Sequence, residues 1–238
     1  MSFFRTISTA RPRPRCALPH HRPPPSTPRA RGLFTTRPTA IPCASCGRPL
    51  PTNLPACTSC WTIRALPAGT THHELFGLPA APNPFDVDAA LLKRRFLAAQ
   101  SSCHPDAWAT KSATDGELAH ALSSRLNEAY QTLLHPLARA EYILAQHGQA
   151  VAEGDQVEDQ EFMMEVMEAR EAIEEATPAD VDAIEELLAR NQAHTSATTA
   201  EIRDLAARQA WGPMKAAAVR LRYLHGIARA GQQWVDNV

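Results

Sequence analysis

From Glu74 onward, apolar residues recur along this chain at helical intervals. Leu92, Phe96 and Ala99 follow at spacings of four and three, which puts them on one face of a helix running from about Val87 to Cys103. Asp86 or Asp88 can cap its start, and Pro105 stops it. A second stripe, Leu118, Leu122, Ala129 and Leu133, predicts a helix from about Asp115 to Leu134, ended by Pro136. A third follows at once, about Leu137 to His147, with Gly148 suited to a left-handed cap.

Three longer helices are expected beyond these. Phe162, Val166, Ala169 and Ile173 mark one over 158–176. Thr177 and Pro178 suit the start of the next, which carries Val181, Ile184, Leu188, Ile202 and Leu205 and reaches about Arg208. Its middle, Asn191 to Thr199, is a poor helix former. Gly212-Pro213 is expected to break the chain before a last helix holding Met214, Ala217, Leu221, Leu224 and Ala228. Sequential helices with short connections favour an antiparallel three-helix bundle, and with no credible strand series the expected fold class is all-α.

Charge divides the chain differently. The first 73 residues hold ten arginines and no Asp, Glu or Lys, so they carry +10, while the rest carries −11. Residues 1–36, rich in Arg, Ser, Thr and Pro, have the composition of a mitochondrial presequence, with Arg31-Gly32-Leu33-Phe34 resembling a processing site. The expected location is therefore the mitochondrial matrix. A plain basic tail is the alternative, because the prolines from Pro12 to Pro28 forbid a long amphipathic helix there. An acidic body argues against a nucleic-acid binder, which needs its positive charge on a folded face. The chain also lacks an apolar run long enough to span a bilayer, so membrane insertion is not expected.

Four of the six cysteines are paired: Cys43-Ala44-Ser45-Cys46, ten residues, then Cys57-Thr58-Ser59-Cys60. Two residues between cysteines let both thiolates reach one ion, and Gly47 allows the tight turn of such a knuckle. Four thiolates close a tetrahedral site, so a structural zinc over residues 40–66 is expected, in a module whose own core is very small. Disulfides or a redox couple are the other readings. His72 and His73 read as plain linker residues at the end of a 67–73 connection.

His104-Pro105-Asp106 falls between two amphipathic helices, after a basic stretch with Lys93, Arg94 and Arg95. Pro105 ends the helix and stiffens the turn, leaving His104 and Asp106 at a fixed place. Cys103 stands beside His104, but adjacent residues on a helix point about 100° apart, so no catalytic dyad is expected. Leu75-Phe76-Gly77-Leu78, His104-Pro105-Asp106 and Arg125-Leu126-Asn127-Glu128-Ala129-Tyr130 resemble a J domain. More specifically, the run from Asn127 to Tyr142 and the segment Phe162-Met163-Met164-Glu165 to Arg170-Glu171 are similar to the HscB family of iron–sulfur co-chaperones. Ala107 stands where a lysine is common in J domains, and Arg94 where an apolar residue is frequent.

That resemblance implies a J domain over 72–147 and a C-terminal three-helix scaffold-binding domain over 155–236. It implies a co-chaperone, not an enzyme, that binds an IscU-type iron–sulfur scaffold protein. The co-chaperone would deliver the scaffold to a heat-shock ATPase chaperone of the DnaK/HscA type and stimulate that chaperone's ATPase. His104, Pro105 and Asp106, with Lys93 and Arg95, would meet the chaperone. Met163, Met164, Met167, Glu168, Arg170, Glu171 and, on the last helix, Tyr223 would meet the scaffold. Met163 and Met167 share a face with Met164 beside them, apart from the Phe162, Val166, Ile173 stripe, so one helix can bury one stripe and offer the other. A general J protein that delivers unfolded clients, or a zinc-dependent nucleic-acid module, are the competing functions.

Overall fold

The computed structural model describes residues 41–238; the presequence expected over 1–36 lies outside them. Two short antiparallel strands, β1 (Ala56–Cys57) and β2 (Thr62–Ile63), pair Ala56 with Ile63 and Cys57 with Thr62. All the longer elements are helices, so the fold is all-α as the periodicity predicts.

Helix α1 (His72–Phe76) is opened by a capping box of Thr71 and Glu74 and closed by Gly77 at φ +60°. Asn53 of the cysteine module donates its Nδ2 to the Glu74 carbonyl at 2.7 Å, and a Cβ on Gly77 would come within 3.0 Å of that same Nδ2. Glycine thus serves both the turn and the close approach of the module.

Helix α2 (Ala89–Cys103) starts at Asp88, whose carboxylate accepts from the amides of Ala90 and Leu91. A four-residue turn, α3 (Pro105–Trp108), leads to α4 (Ala113–Leu134), capped by Ser112, and α5 (Pro136–Gln146) follows directly. Leu92 and Ala99 of α2 meet Leu122, Leu126, Ala129 and Leu133 of α4 in one core. Leu54, Ala56 and Ile63 belong to the same core, so the cysteine module contributes apolar surface to these helices. His72 and His73 are not linker residues. Both are buried, His72 stacked on Tyr142 at 4.0 Å and His73 Nε2 within 2.8 Å of the Pro84 carbonyl.

Arg139 is buried where α4 meets α5 and donates to three backbone carbonyls: Leu133 (2.7 Å), Phe85 (2.8 Å) and Leu134 (3.2 Å). These include carbonyls at the end of α4 that helix geometry leaves open, so one guanidinium closes the α4–α5 corner and ties in the loop before α2.

Helices α6 (Gln160–Glu175), α7 (Val181–Ala207) and α8 (Trp211–Asn237) complete the chain, with a turn of 3₁₀ helix, Pro178–Asp180, before α7. The end of α7 meets the start of α8 through Ile202, Leu205, Met214 and Ala217, together with Ile143 and Leu144 of α5. The start of α7 meets the end of α8 through Ile184 and Ile227, joined by Val166 and Ile173 of α6. The two contacts define an antiparallel α7–α8 pair with α5 against one end and α6 against the other. The unfavourable stretch from Asn191 to Thr199 stays helical. Asn191 is buried and donates to the Leu224 carbonyl at 3.0 Å, while the Ser196 and Thr199 hydroxyls bond back to carbonyls one turn earlier. The break after α7 falls at Arg208–Ala210, one turn before Gly212-Pro213: Gln209 takes φ +55° and the Ala210 amide bonds back to the Leu205 carbonyl at 2.9 Å. Pro213 instead sits in the first turn of α8, where a missing amide hydrogen costs nothing. Among the described residues, no helix is long and apolar enough to cross a membrane.

Candidate functional site

Three surfaces hold the residues singled out by the sequence. In the first, all four sulfurs of Cys43, Cys46, Cys57 and Cys60 lie within 4.8 Å of one another. Cys43 and Cys60 are 3.7 Å apart, and Cys46 and Cys57 are 3.8 Å apart. A tetrahedron with metal–sulfur bonds of about 2.3 Å requires sulfurs about 3.8 Å apart. The set therefore fits one metal ion, and four sulfur donors leave no open position on it. Local backbone builds each half. Gly47 at φ +72° lets its amide reach the Cys43 carbonyl at 2.9 Å, and the Trp61 amide reaches that of Cys57 at 2.9 Å.

The thiols are not equivalent. The Thr62 hydroxyl, 3.3 Å from Cys60, is the main reason that thiol falls to about 6. Cys43 is lowered chiefly by the backbone amides of Cys46 and Ser45. Cys46 is opposed by the Arg48 amide, yet burial and the other three thiols push it up to about 11.

The second surface is the turn between α2 and α4. His104 caps α3, its Nδ1 accepting from the Asp106 amide at 3.3 Å. The Asp106 side chain is 91% exposed, and its carboxylate makes one long contact of 3.7 Å with His104. Trp108, wholly buried, donates its indole N–H to the Ser102 carbonyl at 3.1 Å, fastening α3 to the end of α2. Trp108 carries little signal in the sequence beyond being a large aromatic in an otherwise polar loop. Cys103 is buried and its thiol is pushed up to about 11 by burial, so it is a packed thiol at the end of α2. On α2, Lys93 is exposed, whereas Arg95 is half-buried with its Nε enclosed and unpaired.

The third surface lies on α6. Asp159 caps it, and Val166 and Ile173 point into the core with Phe162 at its edge. Met164 and Met167 are 62% and 66% exposed, and Met163 is half-buried. Two apolar faces thus coexist on one helix, and the outer one has acidic neighbours. Glu168, Arg170 and Glu171 are exposed, with the Arg170 guanidinium close to Gly226 of α8. Tyr223 is set differently: it is half-buried and packs edge-on against Phe162 at 6.3 Å.

Residues 158–230 match the HSCB C-terminal oligomerisation domain. The co-chaperone protein HscB homolog of Aliivibrio fischeri is 32% identical over 171 residues, which cover 70% of this chain and 98% of that one. The homolog from Vibrio campbellii is 44% identical over 105 residues, spanning 44% of this chain and 60% of the relative's length. The crystal structure of human co-chaperone protein HscB superposes with a TM-score of 0.70 at 26% identity, over 83% of this chain and 100% of that one.

Proposed function

The chain belongs to the HscB family of co-chaperones, and on that premise we propose that it is an adaptor for iron–sulfur cluster transfer. It binds an IscU-type scaffold protein, presents it to a heat-shock chaperone of the DnaK/HscA type, and stimulates that chaperone's ATPase without catalysing a reaction itself. Residues 72–147 are the J domain and 155–236 the scaffold-binding domain. The observation that carries this reading is a pair of separate exposed features. An aspartate with almost no partner stands on a turn pinned by Trp108, and two exposed methionines stand on a helix of the other domain.

Each feature has a physical use. A carboxylate held ready at a stiff turn can redirect an ion pair on the chaperone and favour its hydrolysis-competent state. His104 and Pro105 set its position, and Lys93 and Arg95 supply positive charge on the preceding helix. Methionines make an adaptable apolar contact. Met163, Met164 and Met167 are its centre, Glu168, Arg170 and Glu171 its charged border, and Tyr223 supports it from α8 through Phe162. The metal held by Cys43, Cys46, Cys57 and Cys60 is zinc in this reading, because all-sulfur tetrahedral sites favour it and it stabilises a small module without redox chemistry. The site of action is the mitochondrial matrix, on the strength of the acid-free, arginine-rich composition of residues 1–36.

The test is stimulation of the chaperone's ATPase by wild type and by Asp106→Ala. The side chain is almost fully exposed, so the variant should fold as wild type and lose stimulation. Unchanged stimulation would remove the mechanism.

A further inference from the structure

The cysteine module packs toward the turn that carries His104-Pro105-Asp106: Leu54, Ala56 and Ile63 share the core of Trp108, and Trp61 meets the Trp108 ring from the outside. Trp61 follows the metal ligand Cys60 directly and adopts φ +56°, a left-handed conformation unusual for a bulky side chain. Its amide is held by the Cys57 carbonyl, so its placement depends on a closed Cys57–Cys60 knuckle. Its ring meets Trp108 edge-on, with centroids 5.4 Å apart and planes at 70°. On Trp61 also rests the Lys111 ammonium, 4.1 Å from the ring centroid. Trp108 closes α3, the turn that contains Pro105 and Asp106, and its indole N–H bonds to Ser102 at the end of α2.

A plain packing role accounts poorly for this. Trp61 is 41% exposed, so it does not fill the module's interior. A left-handed position in a tight turn would ordinarily hold Gly or Asn. What the tryptophan adds there is a wall against the one buried aromatic that fixes the turn. A second tether, from Asn53 to the Glu74 carbonyl, holds the module against α1.

We propose that Trp61 is a positioning residue for the chaperone-docking turn: the metal-closed knuckle holds Trp61 against Trp108, and Trp108 sets the place of His104-Pro105-Asp106. The module is then a working part of the J-domain surface, and metal loading tunes how well the protein engages its chaperone. This rests on the co-chaperone reading above.

The experiment uses the full chain, zinc-loaded or treated with a chelator, as wild type, Trp61→Ala and Trp61→Phe. Each of the four tryptophans offers one indole N–H as a reporter in nitrogen-15 NMR. In wild type, chelation should move the Trp108 indole signal and the amides of His104 and Asp106. In Trp61→Ala these signals should already be displaced and no longer follow zinc. Trp61→Phe should behave as wild type. In ATPase assays, zinc-loaded Trp61→Ala should need on the order of tenfold more protein for half-maximal stimulation, the scale of one lost aromatic pair, and Trp61→Phe should restore it. The proposal is overturned if chelation leaves the wild-type Trp108 and turn signals unmoved. It is equally overturned if zinc-loaded Trp61→Ala half-saturates the chaperone at the wild-type concentration. A wild type that stimulates no chaperone would end the co-chaperone reading, and the indole response would then decide alone whether the module holds the turn.

Discussion

Replacing Met164 and Met167 together by glutamine separates binding from folding. Glutamine matches methionine in length and helix propensity, so α6 should keep its helicity. The two side chains are 62% and 66% exposed, so little buried contact is lost in the free protein, and the stability change should stay within about 0.5 kcal/mol. Binding is different. Full burial of a methionine side chain is worth about 1.5–3 kcal/mol, and with two-thirds of each still open, roughly 1–2 kcal/mol per residue remains to be gained at an interface. The double variant should therefore bind an iron–sulfur scaffold protein about 30- to 1,000-fold more weakly. Isothermal calorimetry reads the binding, and urea unfolding followed by circular dichroism reads the stability. Unchanged affinity with unchanged stability would refute the assignment of this face. A loss of several kcal/mol in stability would show that these methionines serve the bundle. A general J protein would lose neither property, because it would not use this face for its clients.

Further outcomes follow from other parts of the molecule. The cysteine tetrad should bind one zinc per chain, and chelation should lower the melting temperature while leaving α2 and α4 helical, since Leu54, Ala56 and Ile63 complete their shared core; a melt indifferent to chelator would contradict this. Burial lowers His72 to about 4, and lowers His73 and His225 in the same direction. The unfolded chain then takes up protons first as pH falls, so the stability from keeping these rings neutral is complete above about pH 6.5 and declines toward pH 4. His72→Phe, which keeps the stacking on Tyr142, should flatten that decline in denaturant titrations across this range. Arg139→Met preserves the aliphatic stem but abandons three carbonyls, and should cost on the order of 3 kcal/mol in urea unfolding; a loss below about 1 kcal/mol would show that water replaces the guanidinium.

Much of this architecture was legible in the sequence, because the helices carry their own evidence. Leu92 and Ala99, or Leu122, Ala129 and Leu133, are buried where the spacing puts them. The cysteine spacing led directly to a cluster that fits one ion. What stayed hidden depends on contacts distant in the chain. His72 and His73 look like linker because their partners, Tyr142 and the Pro84 carbonyl, are brought to them only by the fold. Asn191 looks like a helix breaker until the Leu224 carbonyl of α8 satisfies its amide. Gly212-Pro213 looks like a break, yet proline is comfortable in a first turn, and Gln209 takes the left-handed position instead. Tyr223 carries no periodicity to show that it leans on Phe162. Arg139 and Trp108 are single residues that close corners, and no repeat announces them.

If one molecule couples two partners, the coupling is read in the chaperone's steady-state ATPase rate with this protein, with scaffold protein, and with both. Both together should raise the rate beyond the product of their separate effects, and either Asp106→Ala or Met164→Gln/Met167→Gln should remove the excess. A rate that the scaffold leaves unchanged, at concentrations where it binds this protein, would contradict the coupling.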